Sequence, residues 1–342
     1  MALTTVRPEG MGFNTGRRNL IINGAMQVNQ RGDSTGVTSG NYHGPDRYRW
    51  HSAHDDTVSI SQDTSAPDGF VNSYKVAVTV ADTSLSSGNT RIEQRIEGQN
   101  LRHLKYGTSS AESVTLSFHV KSNKTGTYVA SIYEETGANV ISKTYTISSA
   151  DTWEAKSITF PGLTTASISA TTGTGLRIWW GLAAASNNQG GSNDVWTTGE
   201  TNWFEGQTVN ILDSTSNTFF LTGCQLEVGE NASDFEHRSY GEELSLCQRY
   251  FYVYGGESGA PNVQGYGKGG DNTFGFTYPC GYMRASPSGA TSGTWQKSNC
   301  GDPVLVHQSS RQFSVRISVS SEGAYEFYPS SGSGKIELSA EL

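Results

Sequence analysis

Between Ser113 and Val120 the chain reads Ser-Val-Thr-Leu-Ser-Phe-His-Val, with an apolar residue at every second position. Successive side chains of a strand point to opposite faces, so this spacing buries one face and leaves the other wet. The same period runs through Tyr74, Val76, Val78 and Val80. It returns where Arg91, Glu93, Arg95 and Glu97 alternate with Ile92, Gln94 and Ile96. Further short apolar runs fall at 20–28, 47–51, 58–62, 128–133, 140–147, 153–160, 176–183 and 219–228, separated by Gly, Ser, Asn and Asp. Roughly eleven short strands punctuated by turn residues predict a two-sheet sandwich. Helical periodicity is missing over long windows, and glycine alone numbers 40. The expected fold class is therefore all-β.

One segment departs from this pattern. Ser239-Tyr-Gly-Glu242 has capping-box spacing, in which the serine hydroxyl and the glutamate each satisfy a helix-terminal N–H. Glu242 and Glu243 then sit where the helix's partial positive charge favours acids. Leu244 and Cys247, three apart, form one apolar stripe and are expected to pack between domains. From Tyr250 the alternation resumes, and Phe313, Val315, Ile317 and Val319 repeat it later. The organisation expected is an arm at 1–18, a large β domain at 19–238, a linking helix at 239–249 and a smaller β domain at 250–342.

Two stretches carry a family resemblance: NLIINGAMQVNQR at 19–31, and QLEVG followed by FEHRSYGEELSLCQRYFYVYG at 225–255. They resemble the corresponding segments of tailed-phage virion proteins, a family of tail-fibre and carbohydrate-binding structural proteins. MRASP at 283–287 and the closing SAEL fit the same pattern more weakly. The resemblance implies an N-terminal jelly roll like that of carbohydrate-binding modules, followed by a smaller C-terminal β-sandwich. It also implies a homotrimer in a virion, joined to other virion proteins through the 1–18 arm and contacting host-surface glycan. A capsid decoration or head fibre without ligand is the alternative role, and a polysaccharide depolymerase a third. The resemblance leaves room for a structural calcium near the terminal strands, with Glu227 as the nearest carboxylate.

Net charge is −8 and no basic run occurs, which argues against nucleic acid as a partner. No apolar run reaches bilayer length, so membrane insertion is not expected. The first residues lack the apolar core of a secretory signal, in keeping with synthesis in a bacterial cytoplasm. GxSxG, HExxH and P-loop patterns are missing, so a non-enzymatic role is expected. His51 and His54 in an extended run point to opposite sides, which disfavours a shared metal.

Charged residues make up only 16%, while tyrosine numbers 16 and tryptophan 7, so uncharged polar and aromatic groups dominate the surface. The longest segment without strand pattern, 186–206, holds Trp196 and Trp203 among Asn193, Asp194 and other amides. Indole faces stack on sugar rings while amides and carboxylates take hydroxyls, so these four residues are the candidate glycan site. The competing assignment makes both tryptophans packing anchors. Tyr250, Tyr252 and Tyr254 are the candidate oligomer contacts.

Overall fold

The computed structural model describes residues 18–199, 203–256, 263–268, 273–330 and 333–342. The arm expected at 1–18 lies outside them except for Arg18. The chain divides into two compact units, the first made of residues up to 26, 33–43 and 48–238.

In chain order the first unit contains β1 (Ser34–Val37), β2 (Arg49–Ser52), β3 (Thr57–Asp63), β4 (Ser73–Val80), β5 (Asn89–Glu97) and β6 (Val114–Ser122). Then come β7 (Gly126–Glu134), β8 (Asn139–Ile147), β9 (Glu154–Phe160), β10 (Thr174–Ala184), β11 (Thr197–Thr198) and β12 (Thr218–Val228). They form two antiparallel six-stranded sheets, ordered β1-β3-β4-β12-β6-β9 and β11-β8-β7-β10-β5-β2. Strands distant in sequence become neighbours, as β12 does between β4 and β6, which is the jelly-roll arrangement.

The alternation explains how the sheets meet. Val114, Leu116, Phe118 and Val120 on one sheet join Trp50, Ile92, Ile178 and Trp180 on the other in a single buried core. Each such side chain contributes about 1.5–3 kcal/mol on burial.

Residues 20–28, expected to open the domain as a strand, do not form one. Asn23 and Met26 have positive φ, which breaks the extended run. The segment is nonetheless buried, and its backbone is satisfied piecewise. Leu20 N–H reaches Leu226 O at 2.9 Å, and Gln94 both accepts from Ile22 N–H and donates to Ile22 O. Its apolar composition recorded burial and not conformation.

The second unit comprises residues 27–32, 44–47 and 239–342, so two short segments of the expected first domain belong to it. It holds α1 (Tyr240–Gln248), β13 (Phe251–Gly255), β14 (Val263–Gly267), β15 (Thr273–Pro279), β16 (Ser288–Ser292) and β17 (Trp295–Ser298). β18 (Val304–Gln308), β19 (Gln312–Ser318), β20 (Gly323–Pro329) and β21 (Lys335–Ser339) complete it. Three three-stranded sheets, β13-β21-β16, β14-β20-β17 and β15-β19-β18, surround a core of Phe313, Val315, Ile317, Phe327, Ile336 and Leu338.

The two short segments are held here by charge. Arg31 and Arg47 both pair with Glu341, and their guanidiniums lie 3.6 Å over Phe251 and 3.4 Å over Tyr250. The α1 start shows the serine half of the predicted capping box, Ser239 Oγ accepting from Glu242 N–H at 3.3 Å.

Candidate functional site

Register places side chains in rows across the outer face of the β11-β8-β7-β10-β5-β2 sheet. One row runs Arg95, Arg177, Tyr133, Val140 across β5, β10, β7 and β8. The next runs Arg49, Glu93, Trp179, Ser131, Ser142 from β2 to β8. A third begins His51, Arg91, Gly181. The residues between them along each strand, Trp50, Ile92, Trp180 and Ile178 among them, point into the core.

Glu93 is the centre of this face and is fully buried. Its Oε2 accepts from Trp179 Nε1 at 2.8 Å and from Arg91 Nε at 3.1 Å, and its Oε1 from Arg95 Nε at 2.5 Å. Burial pushes its carboxyl up, but Arg91 and Arg95 outweigh burial and hold it at about 2. Arg91 lies 4.4 Å over the Trp179 ring and donates to Asn89 Oδ1 at 2.5 Å. Burial lowers the Arg91 guanidinium to about 10 against the pull of Glu93. Burial and then Arg91 and Arg49 push His51 down to about 3, so its imidazole is neutral near pH 7. Arg177 clasps Glu135 with two nitrogens, at 2.6 and 2.5 Å, and its guanidinium lies 5.4 Å from the Tyr133 ring centre.

The aromatic half of the face is built with the 186–206 segment. Tyr133 stacks on Trp179 with ring centres 5.1 Å apart, and Trp203 meets Trp179 at 5.2 Å and Tyr133 at 6.2 Å. Phe204 stacks on Trp179 and packs over Gly181, where a Cβ would come 2.5 Å from its ring. Only glycine lets that ring lie flat against β10. Trp179, Phe204, Val129 and Val140 thus form a small apolar cluster outside the main core, with Tyr133 and Trp203 half-buried at its edge. The result is half-buried aromatic edges beside guanidiniums, the mixture that grips an amphipathic ring while fixing its polar groups.

The four residues expected from the sequence do not gather into one platform. Trp203 joins this face, but Trp196 packs edge-on against Tyr106 and the main core and donates its Nε1–H to Pro161 O at 2.8 Å. Asn193 Oδ1 accepts from Ser142 Oγ at 3.2 Å, and Asp194 pairs with Lys143 at 3.0 Å, both at the β8 edge. Within the second unit, Tyr250 retains 1% of its surface, and Tyr252 and Tyr254 pack on Phe313. Cys247 is buried there too, while Leu244 lines a cavity of about 350 Å³ with Asn29, Gln30, Tyr240 and Lys335.

Glu227 does not fit a calcium ligand. Its oxygens accept from Ser233 N–H, Ser233 Oγ and Gln225 Nε2, and Arg18 Nε stands 3.4 Å away. Hydrogen-bond donors surround it where a calcium site needs further oxygens. Among the described residues no helix is long and apolar enough to cross a membrane.

Sequence reasoning passed over Trp179, Tyr133, Arg49 and Arg177. The alternating charges of β5 were visible, and the alternation of Arg177 and Trp179 with Ile178 and Trp180 is the signal that matches them.

A jelly-roll β-sandwich with an aromatic, arginine-rich outer sheet face is what fold and site define together. No family model and no curated protein matches the chain. Solved structures similar to it include a tailspike protein of bacteriophage CBA120, described as its enzymatically active domain. That match has 12% identity over 62% of this chain and 21% of that one, with a TM-score of 0.33, so the chain spans about a fifth of the tailspike structure's length. Another is a family 4 carbohydrate-binding module, at 14% identity over 60% of this chain and 98% of that one, TM-score 0.34. A third is the family 11 module of Clostridium thermocellum bound to a β-1,3-1,4-mixed-linked tetrasaccharide, at 12% identity over 60% and 98%, TM-score 0.29. Likenesses at this level say nothing of what this chain binds.

Proposed function

We propose that this chain is a non-enzymatic structural protein of a tailed-phage virion, a tail-fibre or adhesin subunit that holds host-surface glycan on the outer face described above. The observation that carries the binding role is the pair of half-buried rings, Tyr133 and Trp203, packed around the buried Trp179, with the Arg177 guanidinium 5.4 Å from the Tyr133 ring centre. A pyranose presents one apolar face and a rim of hydroxyls, and this surface offers a ring for the first and ionic hydrogen-bond partners for the second. The virion role rests on the resemblance of residues 19–31 and 225–255, and homotrimeric assembly follows from the same resemblance. The non-enzymatic part of the reading rests on the sequence, which holds neither an HExxH nor a P-loop pattern.

The test is an array of bacterial surface polysaccharides probed with the full chain and with Tyr133→Ala. Wild type is expected to bind a defined set of glycans, and loss of the ring to weaken binding about fivefold, the effect of roughly 1 kcal/mol. Equal binding by Tyr133→Ala overturns the face as the site. A blank array favours the purely architectural role. Antibody labelling of purified particles places the chain on tail or head, and its absence from particles overturns the virion role.

A further inference from the structure

We infer that the first unit holds a second binding site, a pocket on the outer face of the β1-β3-β4-β12-β6-β9 sheet, and that it takes a neutral sugar ring. The site shares no residue with the face of Tyr133 and stands or falls separately from it.

The pocket begins as an irregularity in β12. Pairing with β6 shifts between Thr222 and Gln225, and Gly223 stands there with φ +62°. A Cβ on Gly223 would lie 2.7 Å from the Phe70 ring and 2.8 Å from His119 Nδ1. Only a bare backbone lets those two rings close over the strand, so the bulge decides where they point. Phe70 meets His119 with ring centres 5.3 Å apart and Phe235 at 5.0 Å.

Beside these rings the face is low. Leu116, Phe118 and Val120 belong to the core, so Ser117 and His119 between them face outward. Register sets them against Ser157 and Ala155 of β9, both exposed. With residues 232–235 as a further wall, these short side chains leave a cavity of about 320 Å³. That is the small end of the range for ligand pockets. The wall is fixed in advance. Gln225 Nε2 donates to Ser233 O at 3.3 Å, Gln225 Oε1 accepts from Glu236 N–H at 2.8 Å, and Arg18 Nη2 donates to Asp234 O at 2.5 Å. A ligand therefore has little left to order on arrival.

The lining names the ligand class. It carries one residue of each sign, Lys156 and Asp234, so neither an anion nor a cation gains from it overall. Lys156 is further matched by Glu154 at 2.6 Å, and beside the wall Arg18 pairs with Glu227 and Arg238 with Glu236. Burial holds the His119 imidazole below its ordinary 6.5, so it is neutral near pH 7. Its Nδ1 is sealed with no hydrogen-bond partner among the described residues, which leaves the ring's other edge toward the pocket. The remaining groups are the Phe235 ring, the hydroxyls of Ser117 and Ser157, and the exposed Asp234. A ring takes the C–H face of a pyranose, and a carboxylate among hydroxyls accepts strongly from sugar O–H groups.

The experiment uses the purified full chain and saturation-transfer NMR. The probes are methyl glycosides of glucose, galactose, mannose and N-acetylglucosamine, with choline and acetate as charged probes. At least one glycoside is expected to receive saturation, to the same degree as salt is raised. Ser117→Leu fills the pocket from the outer face and should weaken that sugar about tenfold. Ser157→Leu, on the edge strand, blocks it from the other side and serves if the first variant does not fold. Phe235→Ala should weaken it about fivefold, the effect of one lost ring contact. Binding that survives both leucine variants overturns the pocket. If the same sugar is lost in Tyr133→Ala, it sits on the other face, and the proposed function stands without this site. Choline or acetate bound in preference to every glycoside overturns the neutral class. Saturation of no probe at all overturns the site, whatever the polysaccharide array shows for Tyr133.

Discussion

Replacing Glu93 by glutamine removes one negative charge at nearly constant shape from the most densely bonded point of the outer face. The carboxylate takes donors from Arg91, Arg95 and Trp179 with no exposed surface of its own. Its amide replacement offers one acceptor oxygen and turns an NH₂ toward guanidiniums that need acceptors. The distance between about 2 and the ordinary 4.5 corresponds, at 1.36 kcal/mol per pH unit, to about 3 kcal/mol of native-state preference for the ionised form. Breaking a buried pair by deleting one partner costs about 3–5 kcal/mol by a separate route of estimation, so the two agree.

The sign of the pH dependence follows. A carboxyl whose folded value lies below its unfolded one stabilises the fold above about pH 4.5, and that contribution is lost as pH falls through about 2. Urea unfolding of the full chain, followed by tryptophan fluorescence, reads the right part of the molecule. Six of the seven tryptophans, Trp179 included, lie in the first unit. Glu93→Gln should be about 3 kcal/mol less stable than wild type near pH 7, with the deficit shrinking steadily below pH 4.5. A variant as stable as wild type at neutral pH, or a deficit that ignores acid, refutes the account of Glu93 as an ionised, arginine-held anchor.

Three further outcomes are expected. Asp56 is buried with Ser52 Oγ donating to it, and burial lifts its carboxyl to about 6. Its folded value lies above the ordinary 3.8, so its contribution is present below that pH and lost as pH rises through about 6; Asp56→Asn should gain on wild type in urea midpoint from about pH 4 to pH 7. Ser239→Ala deletes the acceptor of Glu242 N–H and should cost the second unit about 1 kcal/mol, read from its own unfolding transition. Trp196→Ala should lower the first unit's melting temperature and leave glycan binding unchanged, whereas Trp203→Ala should weaken binding; the reverse pattern overturns the placement of the site.

Local chemistry was legible in the sequence. Ser239 and Glu242 needed only their spacing to declare a helix start, and the alternations of β6 and β19 needed only their period to declare a buried face. What depended on pairing was hidden. Nothing near Glu93 says that Trp179, 86 residues later, lies opposite it, because register comes from whole strands and their bulges, one of which falls between Gly181 and Ala183. The 186–206 segment was marked by its tryptophans, yet its path sends Trp196 to Tyr106 and Trp203 to Trp179. A loop's course is decided by the surfaces it finds, and one chain read in order does not list them.

The outer face also poses an energetic question. A buried arginine–glutamate cluster is a poor way to stabilise a sheet, since apolar side chains of similar size often do as well or better. The same sheet shows a cheaper solution beside it, where Phe204, Val129 and Val140 pack with Trp179, whose indole is also the point where Arg91 and Glu93 meet this apolar cluster. Continuing that apolar cover over β5 and β2 required only more of what the 186–206 segment already supplies. Instead the cover stops, and the uncovered part holds Arg49, Arg95 and Arg177 on a scaffold that Glu93 and Glu135 keep from springing apart. Guanidiniums held in place by such pairs are costly to the fold and already ordered before any ligand meets them. The division of one sheet face into an apolar half and a charged half is thus not what stability alone would select, and it is the feature on which the glycan-binding proposal stands or falls.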